Sequence, residues 1–248
     1  MKPDIAKALL TLAIALSAGT TCAAAQSAGR LPSTGSVVAE MMQHNAARQS
    51  QMTSYTVLRR YVAMNGKRRA EMLVRVACDS NGAERFSVLS EKGSAAIRHH
   101  VFRRLLDEES ETSTRGIRRS IGLTPANYSF RIIGEAPIET GPAYVVAVSP
   151  KSPSKYSIEG RIWVDASDYA IVRIEGRPAR RPSFWVRSAQ FVRTYQKVGQ
   201  FWLAASTRTS SKIWIFGKSE LNIESFNYQL ASPVDLTTEA DSRASVIP

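Results

Sequence analysis

Two Asn-Gly pairs, Asn65-Gly66 and Asn81-Gly82, each lie between runs in which apolar and polar residues alternate. A period of two fits an extended strand with one buried face, because successive side chains point to opposite sides. Asn-Gly tolerates the positive φ of a tight reversal, which makes it the strongest short-range hairpin signal. The segments "SYTVLRRYVAM", "KRRAEMLVRVAC" and "ERFSVLSE" are therefore predicted as three hairpin-linked strands. From Asn127 onward the same alternation returns in "NYSFRII", "AYVVAVSP", "SIEGRIWVD", "YAIVRIEG", "SFWVRSAQFVRTYQ", "FWLAASTRTSSKIWIF" and "ELNIESFNYQL". Short Gly, Pro, Asp or Ser turns separate these later segments, leaving no room for the crossovers that a parallel sheet needs. About ten strands in an antiparallel meander follow, with no fixed-period repeat and no linker to divide the chain.

Only two segments carry a helical period. Ser36 is placed to cap a helix that runs to about Gln49, with Val37, Val38, Met41 and Met42 toward one side. Gly93-Ser94 opens a second helix to about Glu109, whose Ile97, Val101, Phe102, Leu105 and Leu106 form one apolar stripe. The polar stretch Glu111–Ser120 is expected to be a mobile loop. Many strands have an apolar face, among them Met72/Val74/Val76, Phe86/Val88, Tyr144/Val146/Val148 and Ile162/Val164. A twisted sheet of that size tends to curl, and two helices do not fill the hollow, so an apolar cleft between helices and sheet is expected. A sandwich, with the sheet folded on itself, would bury the same residues without a cavity. The expected class is α+β and mostly β: a curled antiparallel sheet with two helices over its concave face.

Lys2 and Lys7, the run "ALLTLAIALSAG" and the small residues Ala23 and Ala25 have the layout of a secretory signal peptide cleaved after Ala25. The alternative is an uncleaved anchor, for which the apolar run is short. Cleavage removes Cys22 and leaves Cys78 alone, with no intramolecular partner for a disulfide. At the end of "MLVRVAC" it shares a face with Met72, Val74 and Val76 and reads as a buried, inert thiol. The whole chain has a net charge of +12, and loss of Lys2, Lys7 and Asp4 leaves it near +11. On an exported protein that charge points to anionic lipid headgroups or wall polymers rather than to nucleic acid. The basic groups at Arg59–Arg60, Lys67–Arg69, Arg115–Arg119 and Arg177–Arg181 are scattered along the chain and read equally well as a solubilising face.

In "GRIWVDASDYAIVRIEG" (160–176), Ile162 and Val164 run in phase with Val172 and Ile174, while Arg161, Asp165, Arg173 and Glu175 fall on the opposite face. Trp163 and Ile171 share that charged face, so part of the back of the sheet is expected to be covered. Nothing points to catalysis. His44, His99 and His100 lack metal-ligand spacing, no Gly-x-Ser-x-Gly elbow occurs, and Asp165 and Asp168 read as turn residues. The run Asp107–Glu109 with Glu111 reads as a solvated charge run at a helix end. No metal, cofactor or enzymatic activity is expected.

The opening "SVVAEMMQHNAARQSQMTSYTVLRRYVAMNGKRRAEMLVRV" and the hairpin "GRIWVDASDYAIVRIEG" resemble exported outer-membrane lipoprotein-sorting proteins of the LolA/LolB type. The order signal, helix, three strands, helix, seven strands fits them along nearly the whole mature chain. The resemblance implies a half-open barrel with helices as a lid over a cavity for acyl chains, spanning residues 36–231. A flexible segment (26–35) would precede it, and a disordered tail (232–248) would follow. Met72, Val74, Phe86, Phe102, Leu106, Phe130, Val146 and Ile162 are then the residues expected to contact a lipid or lipoprotein acyl chain. Arg177, Arg180 and Arg181 in "GRPARRPS" are expected to meet an anionic membrane surface. The carriers have a basic-aromatic segment after the first hairpin, whereas "RPSFWV" here lies at Arg181–Val186, so no arginine takes its role from the resemblance. The function expected is a periplasmic carrier or sensor of lipid. The alternative is a non-enzymatic envelope regulator like the RseB/MucB sensor domains, which share the fold and bind a membrane protein partner, and an unrecognised hydrolase is a third class.

Overall fold

The computed structural model describes residues 31–181, 186–213 and 217–231. The expected signal peptide, the C-terminal tail, residues 26–30 of the N-terminal segment and the centre of "RPSFWV" lie outside the described residues. The first helix, α1 (Thr34–Ser50), starts earlier than expected because Ser33, not Ser36, is the cap: its hydroxyl accepts the Ser36 N–H at 3.1 Å. Val37, Val38 and Met41 are its buried residues, one and four positions apart on one face.

Strand β1 (Tyr55–Asn65) returns as β2 (Arg68–Cys78). Asn65 pairs with Arg68, so the two-residue turn is Gly66-Lys67, shifted by one from the Asn-Gly expectation. Only Gly66 takes a positive φ there (+56°), the pattern in which glycine holds the first central position. A five-residue loop leads to β3 (Glu84–Gly93). Within it Gly82 has φ +78°, and Asp79 accepts the Ala83 N–H at 2.9 Å.

Three helical pieces then run end to end: α2 (Ala95–Ile97), a π turn (Arg98–Phe102) and α3 (Arg103–Thr112). The π turn corrects the expected stripe. In a continuous α-helix Val101 would lie four residues beyond Ile97 on its buried face. The wider turn brings Phe102 onto that face instead, with 0% exposure, and leaves Val101 40% exposed. The stretch 111–120 is not a loop. α3 continues to Thr112 and α4 (Arg115–Ile121) follows, with Ile117 and Ile121 at the helical spacing of four.

The remaining strands are β4 (Tyr128–Ile138), β5 (Gly141–Pro150), β6 (Ile158–Asp165), β7 (Ile171–Pro178), β8 (Val186–Val198), β9 (Phe201–Ile213) and β10 (Gly217–Leu230). All ten join one antiparallel, curled and unclosed sheet in the order β3-β2-β1-β10-β9-β8-β7-β6-β5-β4. A single sheet excludes the sandwich. Its two edges, β3 and β4, are consecutive strands of the chain, so the connection between them must travel from one edge to the other. That connection is α2, α3 and α4.

Two separate apolar cores result. α1 packs Val37, Val38 and Met41 on Tyr128, Val146, Ile162 and Ile174 of β4–β7. Ile97 and Phe102 pack on Val57, Tyr61, Met72 and Val74 of β1 and β2. Phe86 belongs beside the second core, but its expected companion Val88 is 49% exposed, next to a register shift in the edge strand. Ile162 pairs with Ile174 as the alternation predicts, although a bulge then sets Val164 opposite Ile171.

The π-turn register has a measurable consequence. Phe102→Ala should cost about 3–5 kcal/mol, as truncation of an aromatic in a dense core does. Val101→Ser should stay within about 0.5 kcal/mol. Urea unfolding of both variants checks this, and an uninterrupted α-helix would make both changes costly.

Candidate functional site

A row of directly paired residues crosses the concave face: Ile132, Val146, Ile162, Ile174, Arg193, Thr207, Ile223, Tyr61 and Met72, running from β4 to β2. The ends of the row lie in the two cores. Its centre, on β8 and β9, is Arg193 and Thr207, with the Arg193 Nε donating to the Thr207 hydroxyl at 3.1 Å. Above the strands between the two cores lies a cavity of about 1360 Å³. On one side α1 and the segment after it line it with Met41, Met42 and Met52, facing Tyr169 of the β6–β7 turn and Tyr195 and Phe201 of the sheet. The other side is closed by α3, α4 and the loop after α4, and its lining is strongly polar.

The polar side is organised by Arg59. It sits on β1 between Val57 and Tyr61, which have 1% and 0% exposure, and so points into the concave face. Its guanidinium holds Glu84 through two hydrogen bonds, at 2.6 and 3.0 Å, and reaches Glu109 of α3 at 3.1 Å. The Tyr61 hydroxyl donates to the same Glu109 oxygen at 2.9 Å. Burial opposes the charge on Arg59, but the hydrogen bond to Glu84 and the charges of Glu84 and Glu109 outweigh it and keep the guanidinium protonated. Burial raises the Glu109 carboxyl above its usual range, and the pull of Arg59 and the Tyr61 hydroxyl only partly offsets that. One buried cation thus ties the helical connection to β1 and β3.

The rim by the β6–β7 turn is built on two aspartates. Asp165 was expected on the charged back face, but it is 2% exposed and accepts the Thr140 hydroxyl at 2.6 Å, the Ser167 N–H at 2.8 Å and the Asp168 N–H at 3.2 Å. Burial pushes its carboxyl up, and these bonds, together with one from the Ser167 hydroxyl, more than reverse the effect and hold it below the usual carboxylate range. Asp168 accepts the Trp202 indole N–H at 2.8 Å, while its carbonyl accepts Arg48 of α1 at 2.9 Å. The turn reading of both residues holds, and the turn also anchors the end of α1.

The residues expected to contact an acyl chain are split between the cores. Met72, Val74 and Phe102 are buried in the β1–β2 core, with Phe86 and Leu106 packed against it. Val146 and Ile162 are buried in the α1 core, with Phe130 beside it. These side chains are the closed walls on either side of the cavity, and the lining comes from other residues. Cys78 is buried with its thiol pushed up by burial, although it touches the cavity margin. Arg177 pairs with Glu159 at 2.8 Å on the back of the sheet, and Arg180 and Arg181 are exposed in the connection after β7. Trp163 is covered on that back by the guanidiniums of Arg161 and Arg173, 5.5 and 5.1 Å from its ring.

Arg59, Glu84, Glu109 and Arg193 were missed as site residues, yet each carried a signal. Arg59 shares the parity of Val57 and Tyr61, Glu84 that of Phe86, and Arg193 that of Phe191 and Tyr195. Glu109 follows Leu105 and Leu106 at helical spacing, so it is not part of a wholly solvated run. A charge on an apolar face is costly unless paired, and three of these four form one network.

No family model and no curated protein matches the chain. Similar solved structures include a DUF1329 family protein from Desulfovibrio piger, with 10% identity, 82% of this chain and 95% of that one covered, and a TM-score of 0.45. A LolA superfamily protein from Nitrosomonas europaea has 10% identity, coverage of 83% and 97%, and a TM-score of 0.36. The Pseudomonas aeruginosa MucA/MucB complex contains a chain with 9% identity, coverage of 79% and 99%, and a TM-score of 0.27. Of these, the LolA superfamily is the group that the N-terminal and hairpin motifs resemble.

The Arg59 network should govern the response to pH. The folded pKa of Glu109 lies above its unfolded value, so its contribution to stability is full below the ordinary carboxylate range and is lost as pH rises through the raised value. Glu109→Gln keeps a hydrogen-bonding group without the charge. Its melting temperature relative to the parent should therefore be most favourable near neutral pH and fall toward the parent's in acid. Arg59→Ala leaves two buried carboxylates unpaired and should cost about 3–5 kcal/mol at neutral pH. Thermal melts of both variants across a pH series read out the two effects.

Proposed function

We propose that this chain is an exported, non-enzymatic carrier or sensor that holds the acyl chain of a lipid or lipoprotein between α1 and the centre of the sheet. The observation that carries this reading is the cavity of about 1360 Å³ between two cores that are each closed without it. Its size is that of a small-molecule site or larger, and the apolar half is formed by methionines and aromatic rings. Methionine is unbranched and polarisable, so it adapts to flexible chains of varying length. The helices α3 and α4 roof the polar half: α3 packs Leu105 and Leu106 on the β1–β2 core and is tied to β1 through Glu109, while α4 reaches the β2–β3 loop through Arg118. Export is supported by the signal-like residues 1–25, and the periplasm is the compartment that fits this reading.

A second reading, an envelope regulator acting on a membrane protein, draws on a different surface. Strand β3 is an open edge and exposes Val88 and Leu89 at 49% and 44%. An edge of this kind adds a strand from a partner readily.

Filling the cavity tests the first reading. Ala204 of β9 lines it, and Ala204→Trp should abolish binding of the uncharged probe phenylnaphthylamine while leaving the melting temperature within a few degrees of the parent's. Undiminished binding would place the probe elsewhere and sink the carrier reading.

Arg177, Arg180 and Arg181 are proposed to bring the protein to anionic membranes. Each would contribute on the order of 1 kcal/mol or less, screened over about 8 Å at physiological salt. Replacing all three with glutamine should weaken co-sedimentation with anionic vesicles at low salt and leave phenylnaphthylamine binding unchanged. Equal loss of both would mean that these arginines serve the cavity.

A further inference from the structure

The lining of the cavity has an imbalance of charge. It includes the arginines Arg48, Arg59, Arg118, Arg119 and Arg193 but, among the described residues, only the carboxylates of Asp79, Glu84 and Glu109. Those carboxylates are already engaged. Glu84 and Glu109 are held by Arg59, and Asp79 accepts an N–H of its own loop. Arg48 is turned to the Asp168 carbonyl at the rim. Arg118, Arg119 and Arg193 therefore face the cavity with no carboxylate within ion-pair distance among the described residues.

Arg193 is the centre of this group. It is one of three members of the registered row, with Thr207 and Ile223, that line the cavity, and it is paired with Ile174 on one side and Thr207 on the other. Only its Nε is used locally, in the bond to Thr207, so its terminal nitrogens remain available as a fork of donors. Arg118 stands on the roof helix α4, where its guanidinium donates to the Asn81 carbonyl. It lies so close to Gly82 that a Cβ there would overlap it. Arg119 follows it on α4, and both line the same cavity. Arg193 is near enough to Glu109 to pull on its carboxyl, but forms no ion pair with it, and a surplus of guanidiniums in a half-enclosed site raises the local concentration of anions and favours bidentate acceptors.

We propose that the ligand is an anionic amphiphile: its acid group, carboxylate or phosphate, pairs with Arg193 beneath the α4 arginines, and its apolar tail lies along Met41, Met42 and Met52 under α1. This rests on the carrier reading and narrows it to ligands with a negatively charged head. The charge of Arg193 is then part of the binding site rather than a solubilising residue, and its tie to Thr207 orients it before the ligand arrives.

The test uses the mature full chain with three fluorescent probes: a dansyl-labelled fatty acid, its methyl ester, and a labelled lysophosphatidic acid. The acid should bind about tenfold or more tightly than the ester, the scale of one charge-assisted hydrogen-bonded pair, and the preference should shrink as salt is raised. Arg193→Gln should remove most of that preference and leave ester affinity unchanged, and Arg193→Lys should restore part of it. Arg118→Gln with Arg119→Gln should reduce it more modestly. A fatty acid bound more tightly than the lysophosphatidic acid identifies a carboxylate head, and the reverse order identifies a phosphate head; either supports the proposal. Equal binding of acid and ester by the parent protein overturns it and leaves the carrier reading standing, and this comparison needs no variant to fold. Parallel loss of acid and ester affinity in Arg193→Gln also overturns it. Binding of none of the three probes overturns both the proposal and the carrier reading.

Discussion

The pairing of β1 with β10 is the constraint on which the rest of the structure depends. It joins residues from Tyr55 to Asn65 with residues from Ser219 to Leu230, across almost the whole described chain. Without it, the three N-terminal strands and the seven C-terminal strands would be separate meanders, each with two open edges. With it, they form one sheet whose edges are β3 and β4, consecutive in the chain and farthest apart in the sheet. The segment between those edges then has to cross one face of the sheet, and here it crosses the concave one as α2, α3 and α4.

The crossing segment and α1 divide the hollow unequally. Each helix buries its apolar face against the strands beneath it, α1 on β4–β7 and the π turn on β1 and β2, with Phe191 and Tyr195 of β8 at the margin of the first core and Leu221 and Ile223 of β10 at the margin of the second. A helix about 10 Å across does not cover the width of a ten-stranded curled sheet. The seam between the cores is where Arg59, Glu84, Glu109, Arg193 and Thr207 gather. Charge is costly in a core, and here it is tolerated because Arg59 satisfies two carboxylates at once and the cavity admits solvent or ligand to the rest. The site is polar at the point where packing fails to close it.

The back of the sheet uses charge differently. Arg161 and Arg173 both reach Glu175 and flank the Trp163 ring, so a large aromatic on the solvent side is covered by guanidiniums instead of by a second layer. Part of the arginine content dresses an uncovered face in this way. A smaller part, including Arg59 and Arg193 of the strands and Arg118 and Arg119 of α4, lines the cavity instead.

Residue periodicity by itself determined the strands, their antiparallel order within each meander, the burial of Val74, Val146, Ile162 and Cys78, and the inward direction of Arg59. These follow from local geometry, since a strand has two faces and the identity of each residue states which face suits it. Turn details were legible only to within a residue: Gly66 alone needed the positive φ, and Ser33 rather than Ser36 was positioned to meet a helix N–H. The helices at 111–121 and the π turn were harder to read, because short polar helices are held by tertiary contacts rather than by an apolar period. What only the tertiary structure decided was which residues share the cavity. Met72 and Phe102, apolar and rightly placed inside, ended in a closed core, while Met41, Tyr195 and three arginines from β8 and α4 came to line the hollow. That outcome depends on the β1–β10 ladder and on where two helices stop covering a curled sheet, and both are long-range facts that no local pattern encodes.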